Sequence, residues 1–154
     1  MKKISIFIIL FICLFASGCG SNKTRTAATL SGFDSIFQNN GFTITSDNDK
    51  YKSVDYITSY SLATYDEDTS IEMIIYTDSD YAIKVQEQQI ESFNLLKSTG
   101  AQVIREKGSN YYEYALISNN RYMISTRVDN TLIFAKVMLK DKDFVDGIIT
   151  SLGY

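Results

Sequence analysis

The sequence predicts an α+β domain: a single antiparallel sheet of about six strands covered by amphipathic helices, in the order α-β-β-α-β-β-β-β-α. Three observations carry that prediction. Residues 101–139 hold four strand-like runs broken only at Gly108-Ser109, Asn119-Asn120 and Asp129-Asn130, residue types that tolerate the positive φ of tight hairpin turns. Two more runs, 56–65 and 69–77, flank the turn Asp66-Glu67-Asp68. Three other stretches place apolar residues at helical spacing, and such helices must bury their stripe against the sheet.

Taken in order, residues 29–40 predict a short helix with Leu30, Phe33, Ile36 and Phe37 on one face and Gly41 as its stop. Residues 42–45 form a brief extended segment, and 46–52 a polar loop. In the run 56–65, Tyr56, Thr58, Tyr60 and Leu62 share a side. In 69–77, Ile71, Met73 and Ile75 oppose Ile74 and Tyr76; apolar residues on both sides predict a central strand covered on both faces. Asp78-Ser79-Asp80 caps a helix running to about residue 98, with Ala82, Ile83, Val85, Ile90, Phe93 and Leu96 in its stripe and Gly100 at its end. The four-strand meander occupies 101–107, 110–118, 121–128 and 131–139. Its sides read Tyr112, Tyr114 and Leu116; Tyr122, Ile124 and Val128; Leu132, Phe134 and Met138. Asp141 caps the last helix, whose apolar face is Phe144, Val145, Ile148, Ile149 and Leu152, and Gly153 stops it. From Gly41-Phe42-Thr43-Ile44 onward this order resembles the PsbP/Mog1-type α/β/α sandwich, from which the helix at 29–40 departs. That resemblance implies a fold used for unrelated roles, many of them non-enzymatic.

The first nineteen residues supply an address. Lys2 and Lys3 precede an apolar run, residues 4–15, that has the length of a signal-peptide core and is too short to span a ~30 Å hydrocarbon layer. The run is apolar on every side and ends in small residues, unlike a capped domain helix. Ala16, Ser17 and Gly18 then lead into Cys19. This stretch resembles a bacterial lipoprotein signal peptide, with Ala16 where Leu is commoner. The resemblance implies that the Cys19 thiol receives a diacylglycerol and that the chain is cut just before it. Residues 1–18 are then the signal, 19–28 the lipidated cysteine and a flexible tether, and 29–154 a single domain. The expected location is the extracytoplasmic face of the cell membrane, held by the lipid anchor on Cys19. A secretory signal cut nearby without lipidation is the alternative. Residues 20–28 are small, polar and unpatterned, with a reach of about 15–20 Å at ~5–6 Å × √n; Lys23 and Arg25 could face anionic headgroups.

Composition narrows the function. Removing Lys2 and Lys3 from the 15 basic residues leaves 13 against 18 acidic ones, a net charge of −5, which argues against nucleic acid as a partner and against membrane binding by the domain itself. Only Cys13 and Cys19 are cysteines, so lipidation of Cys19 leaves none for a disulfide, a thiolate nucleophile or a zinc site. There is no His, hence no Ser-His-Asp triad, no Cys-His pair and no imidazole ligand. No cofactor is implied. The acidic groups Asp47 and Asp49, Asp66 to Asp68, and Asp78 and Asp80 lack calcium-loop spacing and read as turn and cap chemistry.

The best candidate contact surface is aromatic: Tyr111, Tyr112 and Tyr114 with Tyr122 on the next strand, although the same spacing suits a sheet packed under helices. Arg127, beside the turn Asp129-Asn130, is the candidate for ligand capture, with a solvated arginine as the plain alternative. The expected function is therefore a membrane-anchored, non-catalytic binding module of the cell envelope, its partner an envelope protein or small ligand. The alternatives are a carboxylate-dependent envelope hydrolase and an inhibitor of an exogenous enzyme. Mass spectrometry of the protein extracted from membranes should find a chain beginning at Cys19 with a thioether-linked diacylglyceryl group; a free thiol or another start site would remove the anchor.

Overall fold

The computed structural model describes residues 23–46 and 48–154, so the stretch expected to be a signal peptide, Cys19 and Asp47 lie outside the described residues. Helices α1 (Leu30–Asn39), α2 (Ser79–Asn94) and α3 (Lys142–Ser151) accompany seven strands: β1 (Thr43–Thr45), β2 (Ile57–Asp66), β3 (Thr69–Tyr76), β4 (Gln102–Lys107), β5 (Tyr111–Ser118), β6 (Arg121–Val128) and β7 (Thr131–Met138). All strand pairs are antiparallel, in the order β1-β2-β3-β7-β6-β5-β4. The seventh strand is the brief segment after α1, which pairs Thr43–Thr45 with β2. Among the described residues no helix is long and apolar enough to cross a membrane.

The sheet is covered on both faces. On one face α1 and α3 bury Phe33, Phe37, Val145, Ile148 and Ile149 against Ala63, Ile71, Met73, Tyr122, Ile124, Ile133 and Val137. Phe37 sits 4.5 Å from Phe33 and 5.0 Å from Phe42, tilted and edge-on, and such pairs add about 0.5–1.5 kcal/mol each beyond burial. Thr29 caps α1 by accepting the Gly32 amide, and Asp78 caps α2 by accepting those of Asp80 and Tyr81. Asp141 stands at the start of α3 but its carboxylate makes no capping bond, because a 3-10 turn, Leu139–Asp141, runs directly into the helix.

On the other face α2 is the single α-helix among the described residues, joined by Tyr51 of the 3-10 turn Asn48–Tyr51, and it forms the crossover from β3 in mid-sheet to β4 at the edge. Ala82 and Val85, near its start, pack on Tyr60, Ile74, Tyr76 and Leu132; Ile90 and Phe93, near its end, pack on Tyr114, Leu116 and Met123. Its buried stripe differs from the expected one. Gln86 is buried, whereas Ile83 and Leu96 are exposed, Leu96 lying beyond the helix end at Asn94. Gln86 is tolerated there because its amide donates to two sheet carbonyls, Tyr112 O at 2.8 Å and Ser125 O at 3.1 Å.

The turns follow the expected residues for different reasons. Asn119 and Asn120 both have positive φ (51° and 58°), as does Asp129 (50°). The β4–β5 connection spans three residues, 108–110, and Gly108 is required there for space: a Cβ would stand 2.1 Å from the Tyr111 ring and 2.4 Å from the Lys23 carbonyl.

That second contact belongs to a segment expected to be flexible. Residues 23–28 lie fastened across the domain. The Ser109 amide donates to Lys23 O at 2.9 Å, and the Asn110 side chain accepts the Arg25 amide at 3.0 Å and donates to Arg25 O at 2.9 Å. The Arg25 guanidinium forks to Glu106 and Glu113, both at 3.1 Å, with its carbon 4.1 Å from the Tyr111 ring centroid. Ala27 and Ala28 pack on the core. The expected tether, residues 20–28, is thus shortened by residues 23–28, six of its nine. The reason is that Arg25 meets two carboxylates and an aromatic face that sequence proximity does not place beside it.

Glu106 reports on this clamp. The Tyr111 hydroxyl, donating at 2.6 Å, holds its carboxyl below the usual carboxylate range, with Arg25 adding to the effect. A depressed carboxylate stabilises the fold above its unfolded value of about 4.3, and that contribution is lost as pH falls through the lower folded value. An NMR titration of the Glu106 side chain should give a midpoint below that of an unperturbed glutamate, raised by Tyr111→Phe and to a lesser degree by Arg25→Ala; an ordinary midpoint in the parent would refute the Tyr111–Glu106 hydrogen bond, and no response to Arg25→Ala would refute the clamp.

Candidate functional site

The five candidate contact residues separate by strand parity. Tyr111 and Tyr122 point to the α1/α3 face and are 2% exposed each; Tyr114 is fully buried under α2, its hydroxyl donating to Asn94 Oδ1 at 2.6 Å. These three are core. Tyr112 and Arg127 remain, and the register makes them direct neighbours: Lys107 pairs with Tyr112, Tyr112 with Arg127, and Arg127 with Leu132. All lie on the α2 face, at the end of the sheet bearing the β4–β5 and β6–β7 turns.

At this corner α2 has already moved towards mid-sheet, so the row Lys107, Tyr112, Arg127 is left open beside Ile83, Gln86 and Glu87. These six residues line a cavity of about 380 Å³. Ile83, the Tyr112 ring and the Arg127 stem supply apolar wall; Lys107 and Arg127 supply positive charge.

Arg127 is the unusual member. Its Nη1 donates to Asp129 O at 3.0 Å and, at 3.5 Å, to Asn110 O. Its Nε is buried and has no hydrogen-bond partner among the described residues. No carboxylate forms an ion pair with it among those residues, in contrast to Arg25 and Arg121, which are paired. Burial lowers its pKa, with the Asp129 charge opposing the shift. A guanidinium nevertheless stays charged, and a buried N–H without an acceptor costs on the order of 1–3 kcal/mol. The Nε is enclosed by protein; what the cavity offers is a guanidinium without a paired carboxylate, and Lys107, beside an apolar wall. Glu87, also in the lining, is exposed and sets the polar rim.

A second, wider cleft of about 540 Å³ lies at the same end of the sheet, lined by Ser53, Val54, Asp55, Tyr56, Thr77 and Tyr81. Tyr56 is stacked between Tyr76 (centroids 6.4 Å apart, 13° between planes) and Tyr81 (4.7 Å, 11°). Next to it Lys50 donates to the Tyr60 hydroxyl at 2.9 Å and lies 3.8 Å from Glu72. Neither grouping was foreseen, because its members come from a loop, two strands and a helix with no shared motif. Here the aromatic faces are spent on one another, which leaves less free contact surface than the cleft's size suggests.

The acidic groups do not assemble. Asp66, Glu67 and Asp68 sit at the β2–β3 turn, at the opposite end of the sheet from Asp78 and Asp80, which begin α2. Asp47 and the Asp49 side chain lie outside the described residues. Among the described residues no three His, Cys, Asp or Glu side chains converge as a metal site requires. Comparison with protein-family profiles, with curated proteins and with solved structures returned no match.

If Arg127 is kept for a ligand and contributes little to the fold, Arg127→Met should leave urea-unfolding stability within about 1 kcal/mol of the parent, or raise it, since the stem is retained and an unsatisfied donor removed. A loss above ~2 kcal/mol would make Arg127 a structural residue.

Proposed function

We propose that the protein is a lipid-anchored, non-catalytic binding module on the outer side of the cytoplasmic membrane, whose Lys107–Tyr112–Arg127 cavity takes the carboxylate or phosphate of an amphiphilic small molecule. The observation that carries this reading is the partly buried Arg127 guanidinium in the cavity lining, which has no paired carboxylate among the described residues and gives its Nη1 only to the main-chain carbonyls of Asp129 and Asn110. A planar fork of donors matches a carboxylate or phosphate, and Lys107 adds a second charge. Ile83 and Tyr112 offer the apolar contact that a purely ionic ligand would not use. The layering of helices on both faces of one antiparallel sheet supports the likeness in element order to the PsbP/Mog1-type sandwich, a fold with many non-enzymatic members.

The hydrolase alternative is disfavoured by electrostatics. A carboxylate pair needs one member with a raised pKa, yet among the described residues the Asp and Glu with a resolved shift, Asp66 and Glu106, move down. The inhibitor alternative finds no long loop in the meander, whose turns are two or three residues long.

Titration with decyl phosphate below its micelle concentration, followed by amide NMR, is the test. Shifts are expected at residues 107–112 and 127–129, with affinity falling about tenfold or more in Arg127→Gln, the scale of a lost charge-assisted hydrogen bond. Equal shifts with decanol, or none with decyl phosphate, would overturn the anion-binding reading.

A further inference from the structure

Where the N-terminal segment is fastened matters more than that it is fastened. Lys23 O is held by the Ser109 amide in the β4–β5 turn, and Cys19 is only four residues earlier. Even fully extended, four residues reach about 14 Å. A lipid on Cys19 would therefore lie within about 14 Å of that turn, at one particular end of the sheet. The same end carries the exposed Tyr56 and Tyr81, the exposed Lys84 and Lys107, and both clefts. Its acids are Asp55, Asp78, Asp80, Glu87, Glu106 and Asp129, of which Asp78 is engaged in capping α2, Glu106 is paired with Arg25 and Asp129 accepts from Asn110 at 2.9 Å. The opposite end carries Asp66, Glu67 and Asp68 in a single turn, and Arg121 is tied to Asp68.

Asn110 joins the two halves of this arrangement. Its side chain holds Arg25 on one face of the sheet, while its carbonyl accepts from Arg127 in the cavity on the other. The fastened segment and the cavity thus meet at one three-residue turn.

We infer that the β4–β5 end of the sheet is a membrane-apposed surface, and that the Lys107–Tyr112–Arg127 cavity opens onto the bilayer and takes the phosphate of a phospholipid head group. This rests on the lipidation of Cys19 proposed above. The lipid leash, not the domain's net charge of −5, brings this end to the bilayer; once there, tyrosine suits the water–hydrocarbon boundary and Lys84 and Lys107 can donate to lipid phosphates. The Arg25 clamp fixes orientation: it removes the freedom of 23–28 and leaves only a short leash between domain and lipid.

Hydrogen exchange on the chain from Cys19 to Tyr154, coupled through the Cys19 thiol to a diacyl maleimide lipid, tests this. The uncoupled chain in solution is the reference, and vesicles contain phosphatidylglycerol and phosphatidylethanolamine. Exchange should slow about tenfold at residues 53–56, 80–84 and 107–110 on vesicles, with 66–68 and 119–120 unchanged. Arg25→Ala should keep the coupled chain on the vesicles but abolish that contrast. Arg127→Gln should keep the slowing at 53–56 and lose it at 107–110. Slowing at 66–68 or 119–120, an even profile in chain that floats with vesicles, or unchanged protection in Arg25→Ala would each overturn the orientation. Native protein bearing no lipid on Cys19 would instead remove the anchor proposal, and loss of decyl phosphate binding alone would remove the anion pocket.

Discussion

One geometric constraint governs this molecule: a single helix cannot cover one face of a seven-stranded sheet. Strands ~4.8 Å apart make a sheet about 29 Å wide, whereas a helix with its side chains is only about 10–12 Å thick. Helix α2, 16 residues and so about 24 Å long, must lie obliquely to reach β4 from β3. It buries Tyr60, Ile74 and Leu132 with its first turns and Tyr114, Leu116 and Met123 with its last. The corner it leaves behind is the one that holds Lys107, Tyr112 and Arg127. The cavity is a consequence of the crossover, and its polarity is the sequence's answer to having to solvate that corner. The opposite face has two helices, α1 and α3, and is filled accordingly.

The fastened segment shows how a few contacts convert a linker into structure. Ordering residues 23–28 costs backbone entropy of about 1–2 kcal/mol each. The offset comes from a two-carboxylate fork at Arg25, its cation–π contact with Tyr111, a reciprocal pair of hydrogen bonds with Asn110, and two alanines on the core. Gly108 is the permissive element, because any side chain there would occupy the space of the Lys23 carbonyl and the Tyr111 ring. Electrostatic partners placed on adjacent strands, Glu106 and Glu113, make the docking specific to one turn of the sheet.

Function follows from what is exposed and unsatisfied. The buried tyrosines have found packing partners, and two cationic clusters, Arg25 and Lys50, are neutralised within the fold. Arg127 is the contrast. A partly desolvated guanidinium without a paired carboxylate, beside an apolar wall where methionine would fit the same stem, is what supports the binding role proposed above.

The sequence by itself determined the α+β class, the antiparallel meander and the three helices. Periodicity and turn chemistry are local: strand alternation shows in Tyr112, Tyr114 and Leu116, and the positive φ of Asn119 and Asn120 is announced by residue type. It also announced Tyr112 and Arg127 as candidates without showing that they adjoin. Only the tertiary structure decided that Thr43–Thr45 becomes a seventh strand and that Gln86 replaces Ile83 in the buried stripe. It alone docked residues 23–28 and left Arg127 beside a cavity when Tyr111, Tyr114 and Tyr122 went into the core. Each of these depends on partners distant in the chain: β2 for β1, two strand carbonyls for Gln86, two glutamates over 80 residues away for Arg25. Local propensity encodes what a segment can be, and only the crossover that places one element over another sets which of its faces meets protein and which meets solvent.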